Sequence, residues 1–310
     1  MGKMRISVVV PLYNEERVVV KLHTILRETM DALGAEYEII FVDDGSRDGT
    51  FKVMSNLSPL TAIRLKSNFG QTQALAAGIK LAKNNAIVLM DGDLENDPRD
   101  IPKLLQTLDE GYDIVSGWRR DRWKDRMFSR RFPSTFANLL ISFVSGVKLH
   151  DHGCTLKAYR REVLDKIHFT GDMHRMIAAY AAREGARITE IPVRFEPREY
   201  GKSHYGFSRT FKVLLDILAF HFFYKYAQKP IHFFGGVGFL SFFVSFITFC
   251  IMLYLKYFRN TTFIQTPLPV LTALFAIIGF QFILMGLLAE IFVRERNADV
   301  DCIAEVRERK

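Results

Sequence analysis

The sequence predicts an α/β domain followed by a hairpin of two membrane-spanning helices. Short apolar runs rich in β-branched residues alternate with longer amphipathic runs along roughly the first two thirds of the chain, and several short runs end in polar clusters. Such alternation is typical of a parallel sheet with helices on both faces. Nearer the C-terminus, two long stretches carry no charge and are long enough to cross a bilayer as helices.

The predicted elements follow one another in a regular order. The predicted strands are ISVVVP (6–11), YEIIFV (37–42), TAIRL (61–65), AIVLM (86–90) and DIVSG (113–117). The predicted helices are 15–33, 71–84 and 98–110. Asp97 is expected to cap the last of these helices, because Asp is favoured at the N-cap and Pro98 suits the first helical position.

Three of these strands end in polar clusters, namely PLYNE (11–15), DDGS (43–46) and DGD (91–93). In parallel sheets, ligands bind beyond the carboxyl ends of the strands, so the clusters should converge on one crevice. No G-x-G-x-x-G follows a strand and no G-x-x-x-x-G-K-[ST] occurs. The sequence therefore excludes the dinucleotide-binding and P-loop motifs.

Acids occupy every second position of DGDLEND, namely Asp91, Asp93, Glu95 and Asp97. In an extended chain they would project from one side and repel one another. Mg²⁺ or Mn²⁺ would remove that conflict, since such ions prefer hard oxygen ligands and magnesium is usually held by one or two carboxylates plus phosphates. The spacing thus indicates a metal bridge to a diphosphate; a solvated acidic turn with Asp97 as helix cap is the alternative.

The charge-free stretches cover residues 233–255 and 268–289. At about 1.5 Å per residue, each spans roughly 33 Å as a helix. A pair of buried core helices is the alternative. Basic residues flank the pair at Lys225, Lys229, Arg294 and Arg296, and the short loop between holds only Lys256 and Arg259. This weak bias favours a cytosolic N-terminal domain.

The segment GWRRDRWKDRMFSRRFPS (117–134) interleaves seven basic residues with aromatic ones. A nucleic-acid patch would look similar, but apolar residues follow this segment and the chain carries a membrane hairpin. A lipid head group is therefore the favoured ligand, with no nucleic-acid partner; a solvated surface stripe is the alternative. Residues 205–230 are amphipathic and aromatic-rich, which predicts an interfacial helix, or else a buried core helix. The expected organisation is a cytosolic domain (1–204), this helix (205–230), the hairpin (231–293) and a cytosolic tail (294–310).

Four motifs occur in this order along the chain: VVVPLYNEE (8–16), VDDGSRDGT (42–50), NFGQTQALAAG (68–78) and DGDLENDP (91–98). Together they resemble family-2 glycosyltransferases of the Rossmann-like GT-A fold. The resemblance narrows to polyprenyl-phosphate glycosyltransferases when three further stretches are included. These are LHDHGCTLKAYRREV (149–163), REYGKSHYGFSR (198–209) and the hairpin ending in MGLLAEIFVR (285–294). These include dolichyl-phosphate mannose synthases and bacterial undecaprenyl-phosphate glucosyl- and aminoarabinosyltransferases. The usual family pattern is Asp-Ala-Asp-Leu-Gln; here Gly92 and Glu95 replace Ala and Gln.

The resemblance implies a role for each matching residue. The nucleotide-sugar site would contain Pro11, Tyr13, Glu15, Asp43, Asp44, Asn68, Gly70, Gln71 and Asp91. The metal, Mg²⁺ or Mn²⁺, would be held by Asp91 and Asp93, with Glu95 as a third ligand. The acceptor phosphate would meet Arg119, Arg130, Arg131, Ser134, Arg198 and Lys202. The catalytic group would be Asp91, Asp93, Arg119 and Asp151.

Several of these roles have simpler alternatives. Residues 43–46 could be a plain turn with a helix cap, Asp151 a buried structural carboxylate, and Arg198 and Lys202 juxtamembrane charges. His150 and His152 flank Asp151, but this spacing does not favour a zinc site on a helix.

The implied reaction is metal-dependent, inverting transfer of a sugar from a nucleotide sugar to a polyprenyl phosphate. The likeness to the undecaprenyl branch favours a uridine diphosphate sugar and a homo-oligomer, often a tetramer in that branch. A processive polysaccharide synthase is one alternative, although the Gln-x-x-Arg-Trp motif of those enzymes is absent. A non-catalytic membrane scaffold that retains the fold is the other.

Overall fold

The computed structural model describes residues 4–120, 138, 141–142, 146–167, 177–197, 222, 226, 230–259, 262–295 and 303–309. The chain forms two compact units, one made of Met1–Leu218 with Asp301–Lys310 and the other of Ala219–Val300.

The first unit is built on a sheet of eight strands in the order β7-β5-β6-β4-β1-β2-β3-β8. The strands are β1 Ile6–Leu12, β2 Tyr37–Asp43, β3 Leu60–Leu65, β4 Ala86–Leu89, β5 Ile114–Trp118, β6 Lys157–Arg160, β7 Ile188–Pro192 and β8 Ile303–Arg309. Strands β4, β1, β2 and β3 run parallel, as does the β5–β7 pair. The predicted parallel order holds for the five predicted strands, and the sheet as a whole is mixed, because β6 runs antiparallel to β4 and β5, and β8 runs antiparallel to β3.

The helices described in this unit are α1 Val19–Leu33, α2 Thr50–Met54, α3 Gln71–Leu81, α4 Ile101–Asp109, α5 Arg161–Leu164 and α6 Ile177–Arg183. Helix α1 starts later than residue 15, because residues 15–18 form a turn. It ends at Gly34, whose φ of 65° is the left-handed conformation that favours glycine. The predicted cap at Asp97 is confirmed: its Oδ1 accepts a hydrogen bond from the Arg99 N–H at 2.9 Å, at the start of a 3₁₀ turn leading into α4.

Two apolar cores lie on opposite faces of the sheet. Alternate residues of β1 belong to different cores, as the period of a strand requires. One core contains Val8, Val10 and Leu22 of α1, and the other contains Val9 and Leu75 of α3. All five side chains are buried. The predicted α/β domain with helices on both faces is therefore confirmed.

The strand order also decides where the polar clusters meet. Strands β4, β1 and β2 are neighbours in the sheet and run parallel, so the loops after Leu89, Leu12 and Asp43 leave the same edge side by side. Strand β5 runs in the same direction as β4, because both strands run antiparallel to β6, which lies between them. The predicted convergence of the three clusters on one edge is confirmed.

The second unit contains two long helices, α7 Ile231–Arg259 and α8 Leu268–Glu295. Their mean hydropathies, 2.2 and 2.3 over the apolar windows, make both apolar enough to cross a membrane, and they could form a transmembrane hairpin. The backbones touch at a glycine pair: a Cβ on Gly238 or on Gly279 would lie 2.9 Å from the carbonyl oxygen of the other. Ser245 adds a hydrogen bond from its Oγ to the Thr272 carbonyl at 2.8 Å. Small and hydroxylated residues thus hold the pair together, as is common between membrane helices.

The predicted organisation beyond residue 204 is covered only in part by the described residues. The interfacial helix predicted for 205–230 lies outside the described residues apart from 222, 226 and 230, so it stays a prediction. The stretch predicted as a tail, 294–310, contains strand β8, which extends the sheet beside β3.

Candidate active site

The loops after β1 and β2 are joined by side-chain hydrogen bonds. The Asn14 N–H donates to Ser46 Oγ, and the Arg47 N–H donates to Asn14 Oδ1, each at 2.9 Å. Asn14 has a φ of 56°, a left-handed conformation that asparagine tolerates better than most residues. The Glu15 N–H donates to Thr50 Oγ1 at 2.9 Å. The loop that carries Tyr13 and Glu15 is therefore positioned by the loop that follows Asp43, and Pro11 lies just before it in β1.

Asp43 has an acceptor atom that the turn does not use. Its side chain is fully buried, and its Oδ1 accepts a hydrogen bond from the Ser46 N–H at 3.0 Å. Its Oδ2 has no hydrogen-bond partner within the part of the chain that the structure describes, and lies 3.6 Å from Arg64 Nε. Because buried acceptors are normally satisfied, this oxygen suits a ligand N–H. A plain turn explains Oδ1 but leaves Oδ2 unexplained.

Asp44 holds the next loop in place. Its two carboxylate oxygens accept hydrogen bonds from the N–H groups of Phe69 at 2.8 Å and Gly70 at 2.9 Å. Burial raises the pKa of the Asp44 carboxyl, although these two donors oppose the shift. Gly45 allows the close approach, since its φ is 67° and a Cβ there would lie 2.5 Å from the Ser67 carbonyl carbon. Asp44 thus positions the loop of Asn68, Gly70 and Gln71; direct contact of these four residues with a nucleotide stays a prediction.

The acid loop that follows β4 is a turn. The Glu95 N–H donates to Asp93 Oδ1 at 3.0 Å, and Leu94 has a φ of 57°. The chain is therefore not extended here, and the condition under which the four carboxylates would project from one side is not met. A tight turn with a left-handed residue directs successive acids to different surroundings, which also relieves their mutual repulsion.

Three of the four acids have separate protein neighbours. Asp91 Oδ1 accepts a hydrogen bond from Gln71 Nε2, which ties the start of α3 to the acid loop. Glu95 Oε2 lies 3.8 Å from Arg119 Nη1. Asp97, besides capping the 3₁₀ turn, pairs with Arg194 Nη1 at 3.1 Å.

The donor chemistry of the loop fits a divalent cation that shares its ligands with a substrate. Among the described residues, no group of three or more His, Cys, Asp or Glu side chains is arranged to hold a metal. Asp91 and Asp93, with one residue between them, nevertheless offer carboxylate oxygens just beyond the end of β4. One or two carboxylates plus phosphate oxygens are what Mg²⁺ usually takes. The assignment of Asp91, Asp93 and Glu95 as ligands stays a prediction.

Arg119 and Asp151 form a buried ion pair at the same edge of the sheet. Arg119 Nε and Nη2 donate to the two oxygens of Asp151 at 2.7 and 3.1 Å. The residues are only 5% and 7% exposed. Burial alone would lower the pKa of the Arg119 guanidinium, but the hydrogen bonds and charge of Asp151 raise it above its ordinary value. Arg119 therefore joins the end of β5 to the turn before β6, close to the acids.

The two histidines beside Asp151 are engaged with different residues. His150 stacks on Trp118 with ring centroids 4.4 Å apart, and its Nδ1 contacts Glu190. His152 is buried, with Nε2 2.9 Å from Ser142 Oγ. Burial, helped by the charge of Lys157, lowers the pKa of His152 to about 4. The turn at 150–152 thus gathers residues from several parts of the sheet.

Sequence reasoning missed two residues of this site. Arg64 Nε lies 3.6 Å from the buried Oδ2 of Asp43, and its signal in the sequence was a charge within an otherwise apolar strand. Glu190 in β7 holds His150, and no local pattern marked it. Five predicted acceptor-site residues lie outside the described part of the chain: Arg130, Arg131, Ser134, Arg198 and Lys202.

Residues 7–168 match the family described as glycosyl transferase family 2. The chain is 39% identical over 307 residues to a dodecaprenyl-phosphate galacturonate synthase of Rhizobium johnstonii, covering 96% of this chain and 90% of the relative. It is 33% identical over 292 residues to an undecaprenyl-phosphate 4-deoxy-4-formamido-L-arabinose transferase of Shewanella sediminis, covering 92% and 86% of the two chains.

A solved structure shares the fold. It is a glucosyl-3-phosphoglycerate synthase of Mycobacterium tuberculosis in complex with Mn²⁺ and uridine-diphosphate-glucose. The TM-score is 0.56 at 18% identity, and the match covers 70% of this chain and 79% of that chain.

Proposed function

The chain belongs to glycosyl transferase family 2, and from this premise we propose that it transfers a sugar from a nucleotide sugar to a polyprenyl phosphate. One observation carries most of the proposal. The similarity to a dodecaprenyl-phosphate galacturonate synthase extends along 96% of the chain, whereas the match to the solved glucosyl-3-phosphoglycerate synthase covers 70% of it. Likeness over nearly the whole length must include the apolar helices, which suit an enzyme whose acceptor is a lipid.

The donor side is proposed to bind a uridine diphosphate sugar. The buried Oδ2 of Asp43 offers one acceptor position beyond the turn. Uracil presents a single imide N–H, whereas the corresponding edge of guanine presents N–H groups on two nitrogens. Tyr13 and Phe69 are 40% and 42% exposed on the loops after β1 and β3, which flank β2 in the sheet. Aromatic rings in these places could pack against the faces of a base.

Asp91 and Asp93 are proposed to hold Mg²⁺ or Mn²⁺ together with the diphosphate. When bound, the cation would neutralise charge on the departing diphosphate. Gln71 donates to Asp91 and so orients its carboxylate, and the Glu95 N–H does the same for Asp93.

The acceptor phosphate has to be oriented, but it needs no protein base to remove a proton. A phosphate monoester has a second pKa of about 6, so the attacking oxygen is largely ionised at neutral pH. The planar guanidinium of Arg119, fixed by Asp151, suits the geometry of a phosphate. Correct placement of two reactants supplies a large share of a rate enhancement. Direct displacement by the acceptor oxygen would invert the anomeric carbon.

The helices α7 and α8 are proposed to anchor the enzyme in the plasma (inner) membrane, with the first unit in the cytosol. This orientation is supported by the basic residues that flank the pair in the sequence. Assembly into a homo-oligomer is part of the same proposal.

The test is an assay of the purified full-length protein with a short polyprenyl phosphate and a panel of nucleotide sugars. The panel includes uronic acid and 4-formamido-arabinose donors, because the relatives are named for these sugars. We expect one monosaccharide per lipid by mass spectrometry and an inverted anomeric configuration by NMR. Long glycan chains would indicate a processive synthase. Failure of every donor, with nucleotide still bound, would indicate a scaffold.

A further inference from the structure

Helix α7 reaches past the start of α8 at the turn of the hairpin. The contacts pair Gly238 with Gly279 and Ser245 with the Thr272 carbonyl, so each step forward along α7 is matched by a step back along α8. By this register, about ten residues of α7 continue beyond the level of Leu268, the first residue of α8. At about 1.5 Å per residue, this extension of α7 is roughly 15 Å long.

The extension has an excess of positive charge. It carries Lys256 and Arg259, and the sequence has no other lysine or arginine between Lys229 and Glu290. No aspartate or glutamate occurs between Asp216 and Glu290. Both cationic side chains are exposed. The end of the hairpin therefore suits an anionic partner.

The ammonium group of Lys256 is held against an aromatic ring of the turn. Its Nζ lies 4.3 Å from the centroid of the Phe263 ring, which is a cation–π distance. Phe263 begins a 3₁₀ turn that is closed from both sides: the Thr262 N–H donates to Gln265 Oε1 at 2.9 Å, and the Gln265 N–H donates to the Thr262 carbonyl at 3.1 Å. An ammonium group over an aromatic face keeps its charge and its N–H donors, so it can meet an anion from its open side.

Exposed aromatic side chains surround the two cations. Tyr254, Tyr257 and Phe258 are 54%, 71% and 75% exposed, and the rings of Tyr254 and Phe258 are stacked with centroids 5.1 Å apart. Tyrosine is typical of the boundary between a membrane and water. The charge-free run 233–255 is about as long as the hydrocarbon core of a bilayer is thick, so Lys256, which follows it directly, lies at the level of the lipid phosphates.

We propose that this end of the hairpin, made of Tyr254–Arg259 and Phe263, binds the phosphodiester head group of an anionic phospholipid such as phosphatidylglycerol. Lys256 and Arg259 face the phosphate, and the exposed rings lie along the first carbons of the acyl chains. The proposal rests on the membrane-spanning hairpin of the proposed function, and it goes beyond that function because the lipid is neither donor nor acceptor. A zwitterionic head group carries its own cation beside the phosphate, so the anionic lipid is preferred.

The test measures lipid binding to the full-length, detergent-solubilised protein by native mass spectrometry, with phosphatidylglycerol and phosphatidylcholine as the two probes. The double variant Lys256→Gln/Arg259→Gln is compared with Lys52→Gln/Lys166→Gln, which removes two exposed charges from the first unit. For the hairpin variant we expect the Kd for phosphatidylglycerol to rise by about fivefold for each charge removed, with the Kd for phosphatidylcholine within about twofold of wild type. The control should match wild type for both lipids. Lys256→Arg keeps the charge and should retain the affinity for phosphatidylglycerol.

Two results would overturn the site alone. One is an equal affinity for phosphatidylglycerol in the hairpin variant and the control, which would leave an acidic protein segment as the candidate partner of this end. The other is an equal loss of both lipids, which would mean that the head group is not recognised. Release of the protein from membranes by alkaline carbonate would overturn the membrane anchor together with this site. Since no sugar transfer is measured, a protein that binds phosphatidylglycerol as expected and glycosylates no lipid would refute the proposed reaction and support the site.

Discussion

Arg119 and Asp151 meet through two parallel hydrogen bonds, Nε to Oδ2 at 2.7 Å and Nη2 to Oδ1 at 3.1 Å, in a place almost closed to solvent. The pair joins the end of β5 to the turn before β6, which are 32 positions apart in the sequence. Asp151 also accepts the Gly153 N–H at 3.1 Å, so it shapes its own turn as well. Orientation of the guanidinium and local folding therefore depend on the same carboxylate.

Asp151→Asn is expected to lower the free energy of unfolding by about 3 kcal/mol, because removing one partner leaves a buried charge only partly compensated by Glu95. Urea unfolding followed by tryptophan fluorescence measures the change, since Trp118 adjoins Arg119. Glu184→Gln, at an exposed position, should stay within about 0.5 kcal/mol of wild type. Equal stability of the two variants would mean that the pair contributes nothing to folding.

Asp43→Asn is expected to weaken UDP binding by about tenfold or more. The amide would present N–H donors where the buried carboxylate presents an acceptor, and an unmatched buried polar group costs about 1–3 kcal/mol. Calorimetric titration with UDP measures the affinity, and Asp109→Asn at the far end of α4 is a control of equal charge. Unchanged UDP affinity in Asp43→Asn would remove this residue from the base site.

The central part of this site could be predicted because its signals are local. Strands β1, β2 and β4 are continuous apolar runs that end in polar residues, and parallel order alone brings their ends together. Strand β8, IAEVRER, reads as a polar tail and becomes a strand only through its pairing with β3. The left-handed backbone conformation of Leu94 could not be predicted either, since leucine has no preference for that conformation. Partners such as Glu190 depend on contacts between distant segments.

Chelation is expected to abolish transfer and weaken UDP binding, since a cation would link Asp91 and Asp93 to the diphosphate. The measurement is sugar transfer after EDTA treatment, followed by titration with Mn²⁺ or Mg²⁺. Asp93→Asn should require at least about tenfold more metal for half-maximal activity. Full transfer in the presence of EDTA would contradict the metal requirement.

His152 should make stability depend on pH. Its folded pKa of about 4 lies below the ordinary 6.5, so the unfolded chain binds more protons between these values. The contribution of His152 to the free energy of unfolding is therefore fully present above about pH 6.5. It is lost as the pH drops towards 4, by up to about 3 kcal/mol. Unfolding at pH 7 and pH 4.5 tests this, and His152→Gln should show a smaller difference between the two values. An equal difference would assign the pH dependence to other groups.

The close approach of α7 and α8 at Gly238 and Gly279 gives a prediction with a matched control. A Cβ on Gly238 would lie 2.9 Å from the Gly279 carbonyl oxygen, whereas a Cβ on Gly236 in the same helix meets no atom within 4 Å. Gly238→Ile should therefore separate α7 from α8 and strain the Ser245–Thr272 hydrogen bond. We expect a lower Tm for detergent-solubilised Gly238→Ile than for Gly236→Ile, which changes hydrophobicity equally. Since van der Waals contact is a main source of attraction between apolar helices in lipid, identical melting of the two variants would mean that the close approach contributes nothing to the stability of the hairpin.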